Sequence, residues 1–342
     1  MPLEYDLEWS TTSLGAILRV CERKGKILAL MQDNPDPDSI ASAMAFDSLI
    51  HRRLGKRVAI GYGGSVGRAE NVAMLELLHV EAEHVTPRDL SRYPILCLVD
   101  TQPYTGNNVC LKDRAIQVVI DHHAVAGHKE WKAEATDVRP HYGATSTILY
   151  EYLLAGHVDF DKDLATALFY GIMSDTQELG RQASAADVAA FHALFQRADM
   201  TKLARIRHAP VPEEYFRTLR DGLTDAIVVG NAVIGQIPTG CHPEMMAEIA
   251  DLLLRLRGTR VSVCYGLCGE TIHLSVRTMD PRANIAKCIR LVVKDIGRGG
   301  GHRLMAGGQV PAGPDPEATV RKLHRRILRV FAPGHKPRPL IP

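Results

Sequence analysis

The sequence predicts an α/β fold in two parts: a mostly parallel, doubly wound sheet, followed by a smaller mixed α/β domain. Three observations point there. Over the first 120 positions, short runs of branched apolar residues alternate with stretches whose apolar residues recur at helical spacing. Strand and helix in alternation give a parallel sheet covered on both faces. "RHAPVPEEY" at 207–215 then interrupts the pattern with two prolines. Beyond it, apolar runs come in pairs joined at Gly230-Asn231 and at Gly269, which is hairpin chemistry. At 342 residues the chain also exceeds the size at which one core keeps growing.

Taken in order, Leu14 to Arg23 reads as helix, Ile27 to Met31 as a buried strand and Ser39 to Arg53 as helix. Arg57 to Tyr62 is a strand and Ala69 to Leu78 a helix, and two further buried strands follow at Ile95 to Val99 and Ile116 to Ile120. Thr145 to Leu154, Leu164 to Asp175, Ala185 to Arg197 and Thr201 to Arg207 are apolar at helical spacing. A connecting helix, Tyr215 to Leu223, leads to strands within Ala226 to Pro238, helix Pro243 to Leu256, strands Val261 to Leu267 and Thr271 to Val276, helix Ala283 to Lys294, a glycine run, and helix Glu317 to Val330. The expected division is a first domain over 1–206, a linker and connecting helix over 207–225, a second domain over 226–333, and a disordered tail, "APGHKPRPLIP", closing at 334–342.

Composition narrows the function classes. No apolar stretch approaches a membrane span, and the first residues lack the basic and apolar regions of a secretory signal. Seven scattered cysteines, several within apolar runs, read as buried reduced thiols in a cytoplasmic protein. Cys264 and Cys268 lack the second pair that a zinc site requires. The charge is uneven: residues 281–342 hold 13 Lys or Arg against 3 Asp or Glu, leaving the remainder net acidic. One end is suited to anions and the other to cations.

The acidic residues fall at strand ends. "MQDNPDPDS" follows the first strand, "YPILCLVD" ends in Asp100, and "IQVVIDHH" ends in Asp121, His122 and His123. In a parallel sheet these ends converge, and ligands bind at that rim. Pro35 and Pro37 favour an extended chain, in which Asp36 and Asp38 face one way, at a spacing able to hold two cations. Asp38 is also placed to cap the following helix. Asp100 is placed to bridge two metals. Of the adjacent His122 and His123, one binds metal and the other faces substrate. Asp175, at the polar end of "ALFYGIMSD", is a candidate fourth corner.

These segments, D-N-P-D-P-D-S at 33–39, V-D-T at 99–101, D-H-H at 121–123 and G-I-M-S-D-T at 171–176, resemble the four motifs of the DHH phosphoesterase superfamily. "GRGGGHRLMAGG" at 297–308 resembles the glycine-histidine element of the DHH-associated domain. The branch most similar is the NrnA-type group, which degrades very short RNA and dephosphorylates 3′-phosphoadenosine 5′-phosphate; RecJ exonucleases and cyclic-dinucleotide phosphodiesterases are relatives. The resemblance implies a hydrolase with its active site in a cleft between domains and two divalent cations, normally Mn²⁺. Asp36 and Asp100 would hold one, and Asp38, Asp100, His122 and Asp175 the other. His123 would polarise a phosphate oxygen or protonate the leaving group, with Asp121 orienting the histidines. The implied partners are a short RNA or DNA oligonucleotide or a phosphorylated nucleotide, and a second copy of the chain as a candidate dimer mate; no membrane is implied.

At Gln32 the chain departs from the family, whose first motif begins with a metal-binding histidine. A glutamine carbonyl is a weaker ligand for Mn²⁺. A non-catalytic nucleotide-binding protein is therefore one alternative, and a cyclic-dinucleotide phosphodiesterase another. In the second domain, Gly299, Gly300 and Gly301 read on composition as a flexible turn between helix and strand, or let a ligand approach the backbone and cup an anion, toward which the neighbouring Arg298 and Arg303 tilt the reading. The resemblance assigns Arg277, this glycine loop and His302 to nucleotide binding. "HYGATST" at 141–147 reads as a helix cap, and Arg68 and Glu70 either reach the site or form an exposed loop ion pair.

Overall fold

The computed structural model describes residues 5–110, 113–124, 131–237, 243–280, 282–301 and 304–341. It divides into two compact units, Met1–Ala209 and Pro210–Pro342.

The first unit is built on a six-stranded sheet in the order β3-β2-β1-β4-β5-β6, every pair parallel. Helix α1 (Leu7–Cys21) precedes β1 (Ile27–Leu30), then α2 (Pro37–Leu54), β2 (Val58–Tyr62), α3 (Ala69–Leu77) and β3 (Ala82–His84). The chain next crosses to β4 (Ile95–Val99), β5 (Ile116–Asp121) and β6 (Ala133–Val138). Because β1 lies between β2 and β4, the winding reverses there, and the carboxyl ends of β1 and β4 open a crevice at the switch point. Helices α4 (Thr145–Ala155), α5 (Lys162–Asp175), α6 (Ala185–Phe195) and α7 (Met200–Arg207) complete the unit. Strands β1, β4 and β5 are buried at every position, which explains their unbroken apolar runs.

Three departures from expectation have simple causes. Helix α1 begins at Leu7, because Asp6 accepts a hydrogen bond from the Trp9 amide as its cap. Strands β3 and β6 carry no apolar run; they are the edges of the sheet, partly exposed, so "AEH" and "AEATDV" suffice. Asp38 does not cap α2. Asp36 does, accepting from the Ser39 amide in a reciprocal capping box, with Pro37 at the first helical position. The aspartates are therefore not two residues of one extended segment: Asp36 is extended and Asp38 already helical.

The second unit holds a seven-stranded sheet in the order β11-β12-β10-β9-β8-β7-β13. Helix α8 (Glu213–Thr224) leads into β7 (Ile227–Val229) and β8 (Ala232–Ile237), then α9 (Pro243–Leu254), β9 (Val261–Cys268) and β10 (Thr271–Thr278). Helix α10 (Ile285–Val293), β11 (Arg298–Gly301), β12 (Met305–Pro311), α11 (Pro316–Phe331) and β13 (Arg338–Pro339) follow. One face of this sheet packs on α8 and α9, the other on α10 and α11. The tail expected to be disordered is not: Arg338 and Pro339 pair with β7, and the Leu340 amide donates to the Ala226 carbonyl at 2.8 Å. Without β13, β7 would end the sheet with unpaired backbone groups, and a proline is tolerated on the outermost strand, which β13 is. Among the described residues no helix is long and apolar enough to cross a membrane.

Candidate metal centre

The site forms at the switch-point crevice, where strand ends deliver the acids. Asp100 follows β4 in the left-handed region (φ 58°), which aspartate tolerates better than most residues. Asp121 closes β5, and His122 and His123 follow it. Asp38 comes from the first turn of α2 and Asp175 from the end of α5. The His122 Nδ1–H donates to the Tyr142 carbonyl at 3.2 Å. That turns Nε2 to the acids: it lies 3.2 Å from Asp175 Oδ2, 3.7 Å from Asp100 Oδ1 and 4.0 Å from Asp38 Oδ2. Ligand atoms of Asp38, His122 and Asp175 lie within 4.8 Å of one another, as do those of Asp100, His122 and His123. Five of the expected residues thus converge.

Asp36 and Gln32 stand beside this cluster and belong to neither group. The Gln32 amide nitrogen donates to Asp36 Oδ2 at 2.9 Å. Because a carboxylate only accepts, the glutamine presents its NH₂ group there. Asp121 accepts from His123 Nδ1 at 2.8 Å and from the Gln102 amide at 2.7 Å, so its carboxylate holds the His123 ring.

A short segment that the sequence reading took for a simple cap contributes much of the geometry. The Arg139 amide donates to the Asp121 carbonyl at 2.9 Å. Tyr142 supplies the carbonyl for His122. The amides of Thr145 and Ser146, at the start of α4, donate to the two oxygens of Asp38 at 2.7 and 2.8 Å. Helix α4 is thus capped by an acid from another helix, which places a carboxylate at its positive end. The Thr145 hydroxyl donates to Asp100 Oδ1 at 2.8 Å. This segment is anchored by Arg139, which is 1% exposed and pairs with Asp137 and Glu151 at 2.7 Å each. Tyr142 and Ser10 also donate to Glu151, and the Gly143 amide donates to buried Asp187 at 2.7 Å. Gly171 lets α5 close on the site: a Cβ there would meet Ser146 Oγ at 2.3 Å and Asp38 Oδ1 at 3.2 Å.

The electrostatics are those of a cation site. Burial raises Asp100 well above the ordinary carboxyl range, and Asp38, Asp36, Asp121 and Asp175 raise it further. Burial, then Asp175, push Asp38 up to about 7. Burial opposes charge on His122, but Asp175, Asp38 and Asp121 outweigh it and push it up to about 10. Burial likewise opposes ionisation of Asp121 and Asp175, yet the histidines hold both below the usual carboxylate range. Acids that repel one another, with buried Asp100 Oδ2 unpartnered and His122 Nε2 turned toward three carboxylates, fit a divalent cation, and the oxygen-plus-imidazole set suits an ion such as Mn²⁺.

In the second unit, the Arg277 guanidinium donates to Asp251 at 2.8 Å and to the Ser275 hydroxyl at 2.8 Å. Gly299, Gly300 and Gly301 form edge strand β11, paired with Gly308, Gly307 and Ala306, rather than a loop cupping an anion. His302 and Arg303 lie outside the described residues. Arg68 and Glu70 form a 3.6 Å ion pair.

Residues 26–172 match the model of the DHH family N-terminal domain, and residues 229–329 match the DHHA1 domain. The chain is 35% identical over 314 residues to an uncharacterized protein of Methanocaldococcus jannaschii, a match covering 90% of this chain and 63% of that one. It is 29% identical over 152 residues to a "Probable manganese-dependent inorganic pyrophosphatase" of Streptococcus equi subsp. zooepidemicus, covering 44% of this chain and 48% of the relative. The chain therefore spans less than two thirds of the length of either relative. Among solved structures, an exopolyphosphatase-related protein from Bacteroides fragilis superposes with a TM-score of 0.68 at 15% identity, over 93% of this chain and 96% of that one. RecJ in complex with Mn²⁺ from Thermus thermophilus superposes with a TM-score of 0.59 at 14% identity, over 95% of this chain and 55% of that one. These two share the fold. With a DHH domain followed by a DHHA1 domain, the chain belongs to the DHH family.

Proposed function

We propose that the chain is a metal-dependent phosphoesterase acting on short oligonucleotides or on phosphorylated nucleotides such as 3′-phosphoadenosine 5′-phosphate. The observation that carries this reading is the convergence of buried Asp38 and Asp100 with part-buried His122 and Asp175, in two ligand groups that share His122, with Asp100 Oδ2 left without a hydrogen bond. The relatives named as manganese-dependent and the RecJ neighbour holding Mn²⁺ favour that ion. Asp38, Asp100, His122 and Asp175 would hold one cation, and Asp36, Asp100 and Gln32 a second, weaker one. Such ions, when bound, supply positive charge to a scissile phosphate and lower the pKa of water.

The protein groups have defined work. Thr145, Ser146 and Tyr142 fix the ligands, so that little reorganisation remains when substrate arrives. Asp121 and Gln102 hold His123, whose Nε2 would face a phosphate oxygen or the leaving group. In the second unit, Arg277, Gly299, Gly300 and Gly301, with His302 and Arg303, would bind nucleotide. Two facts support that assignment. Gly299 and Gly308 pack against Ile289 and Val293 of α10, whereas a Cβ at Gly300 would meet nothing within 4 Å. At Gly307, directly opposite Gly300, a Cβ would meet the Leu274 carbonyl oxygen alone, at 3.5 Å, an ordinary contact. A bare glycine pair within a sheet suits close approach of a ligand.

A second reading, a nucleotide-binding protein with one weakened metal position, draws on the Gln32 contact to Asp36. One panel separates the readings. Purified protein with Mn²⁺ is assayed on dinucleotides, 3′-phosphoadenosine 5′-phosphate, cyclic dinucleotides, inorganic pyrophosphate and long single-stranded DNA. We expect turnover of the first two to exceed the others by at least about tenfold. Binding without turnover of any of them would establish the second reading.

A further inference from the structure

The second unit carries a charged surface that the metal centre does not use. Helices α10 and α11 lie side by side on one sheet face, their apolar rows (Ile285, Ile289 and Val292; Leu323 and Ile327) buried in the core. Arg326 links them, donating to the Val292 and Lys294 carbonyls. The outward rows are cationic: Lys287, Arg290 and Lys294 from α10 and its end, and Arg321, Lys322, Arg325 and Arg329 from α11, all exposed. Elsewhere arginines commonly hold a carboxylate, as Arg23 does Glu134, Arg197 does Asp159, Arg207 does Glu178 and Arg217 does Glu213. Here, among the described residues, Arg321 has Glu317 at 3.1 Å, and the other six cations have no acid within ion-pair distance.

We propose that this two-helix face binds the phosphate backbone of a nucleic acid strand, independently of hydrolysis. A set of unpaired like charges repels itself and is relieved by a polyanion. Arg321, Arg325 and Arg329 recur every four residues, about 6 Å along the helix axis. A nucleic acid strand offers one charge per about 3.4 Å of axis, so successive arginines meet roughly every second phosphate. A compact anion would need converging cations rather than a row. A membrane surface would need bulky apolar residues beside the charges. Of the large apolar side chains on these helices, Leu291 is the exposed one. The face lies across the sheet from Arg277 and Ser275, which point to the α9 side, so substrate held there leaves it free.

The test is fluorescence anisotropy of the full chain with a labelled 20-nucleotide oligo(U) in EDTA, which prevents turnover. With about four phosphates engaged, log affinity should fall with log salt at a slope near −3, so affinity should drop roughly 60-fold between about 50 and 200 mM salt. The variant Arg321→Gln/Arg325→Gln/Arg329→Gln should flatten the slope by about 2, weaken low-salt binding at least about tenfold, and keep the wild-type melting temperature. Its hydrolysis of a small phosphodiester, bis(p-nitrophenyl) phosphate, should match wild type. Equal oligo(U) affinity for variant and wild type, or binding to phosphatidylserine vesicles in preference to RNA, overturns the proposal. A wild-type chain that hydrolyses no phosphoester while passing the anisotropy test overturns the proposed activity and leaves this surface standing.

Discussion

Replacing Thr145 with valine removes one hydroxyl and keeps the side chain's shape. That hydroxyl donates to Asp100 Oδ1 at 2.8 Å, and both residues are buried. Because Oδ2 of the same carboxylate already makes no hydrogen bond, Asp100 would lose its one side-chain donor. Loss of a partner from a buried acceptor costs about 1–3 kcal/mol, and loss of a partner behind a metal ligand typically lowers affinity about 10–100-fold. The two figures agree, since tenfold is about 1.4 kcal/mol. The sign is also set: without the donor, the raised pKa of Asp100 rises further, and protons compete better with metal. Isothermal titration of Mn²⁺ near neutral pH should give a Kd weaker by about 10–100-fold in Thr145→Val. The backbone amide that holds Asp38 is unchanged by the substitution, so the helix start survives. A Kd within twofold of wild type would mean that Asp100 does not bear on the ion.

Three other outcomes follow from the same geometry. Gly171→Ala drives a methyl into Ser146 Oγ; overpacking costs about 1–3 kcal/mol, so urea melts should show a loss of that size together with weaker Mn²⁺ binding, and an unperturbed variant would contradict the close approach of α5. In the metal-free protein, a carboxyl raised from 3.8 to about 7 stabilises the fold below its ordinary pKa and loses that contribution as the pH climbs. Asp38 alone should therefore lower unfolding free energy by about 2–3 kcal/mol between roughly pH 5 and 7.5 in EDTA. His122, raised to about 10, acts in the same direction, and excess Mn²⁺ should abolish the fall; a metal-free stability that rises over this range would count against the cluster. Gln32→His replaces a donor to Asp36 with an imidazole, and should tighten binding of a second Mn²⁺ measured by titration; unchanged stoichiometry and affinity would remove Gln32 from the site.

How much of this was legible in the sequence depended on who supplies the chemistry. Strands β1, β4 and β5 were readable because burial on both faces demands an unbroken apolar run, and Asp100, Asp121, His122 and His123 stand out as the polar residues ending such runs. Edge strands β3 and β6 were not, since one exposed side relaxes that demand. The tail was misread on composition: polar, proline-rich residues still pair when an edge strand offers free backbone groups. At the site, Tyr142, Thr145 and Ser146 were missed because they act largely through main-chain groups that any residue carries. Arg139 was invisible for another reason: its partners Asp137, Glu151 and Ser10 come from three elements, and only folding brings them together.

The central claim is that side chains from separate strands and helices hold divalent cations at one crevice. Crystals grown with Mn²⁺ and measured at the manganese absorption edge address it directly. The account predicts a strong anomalous peak in contact with Asp38, Asp100, His122 and Asp175, with a weaker one toward Asp36 and Gln32. Saturating Mn²⁺ with no peak among those residues, or a peak only elsewhere on the chain, would contradict it.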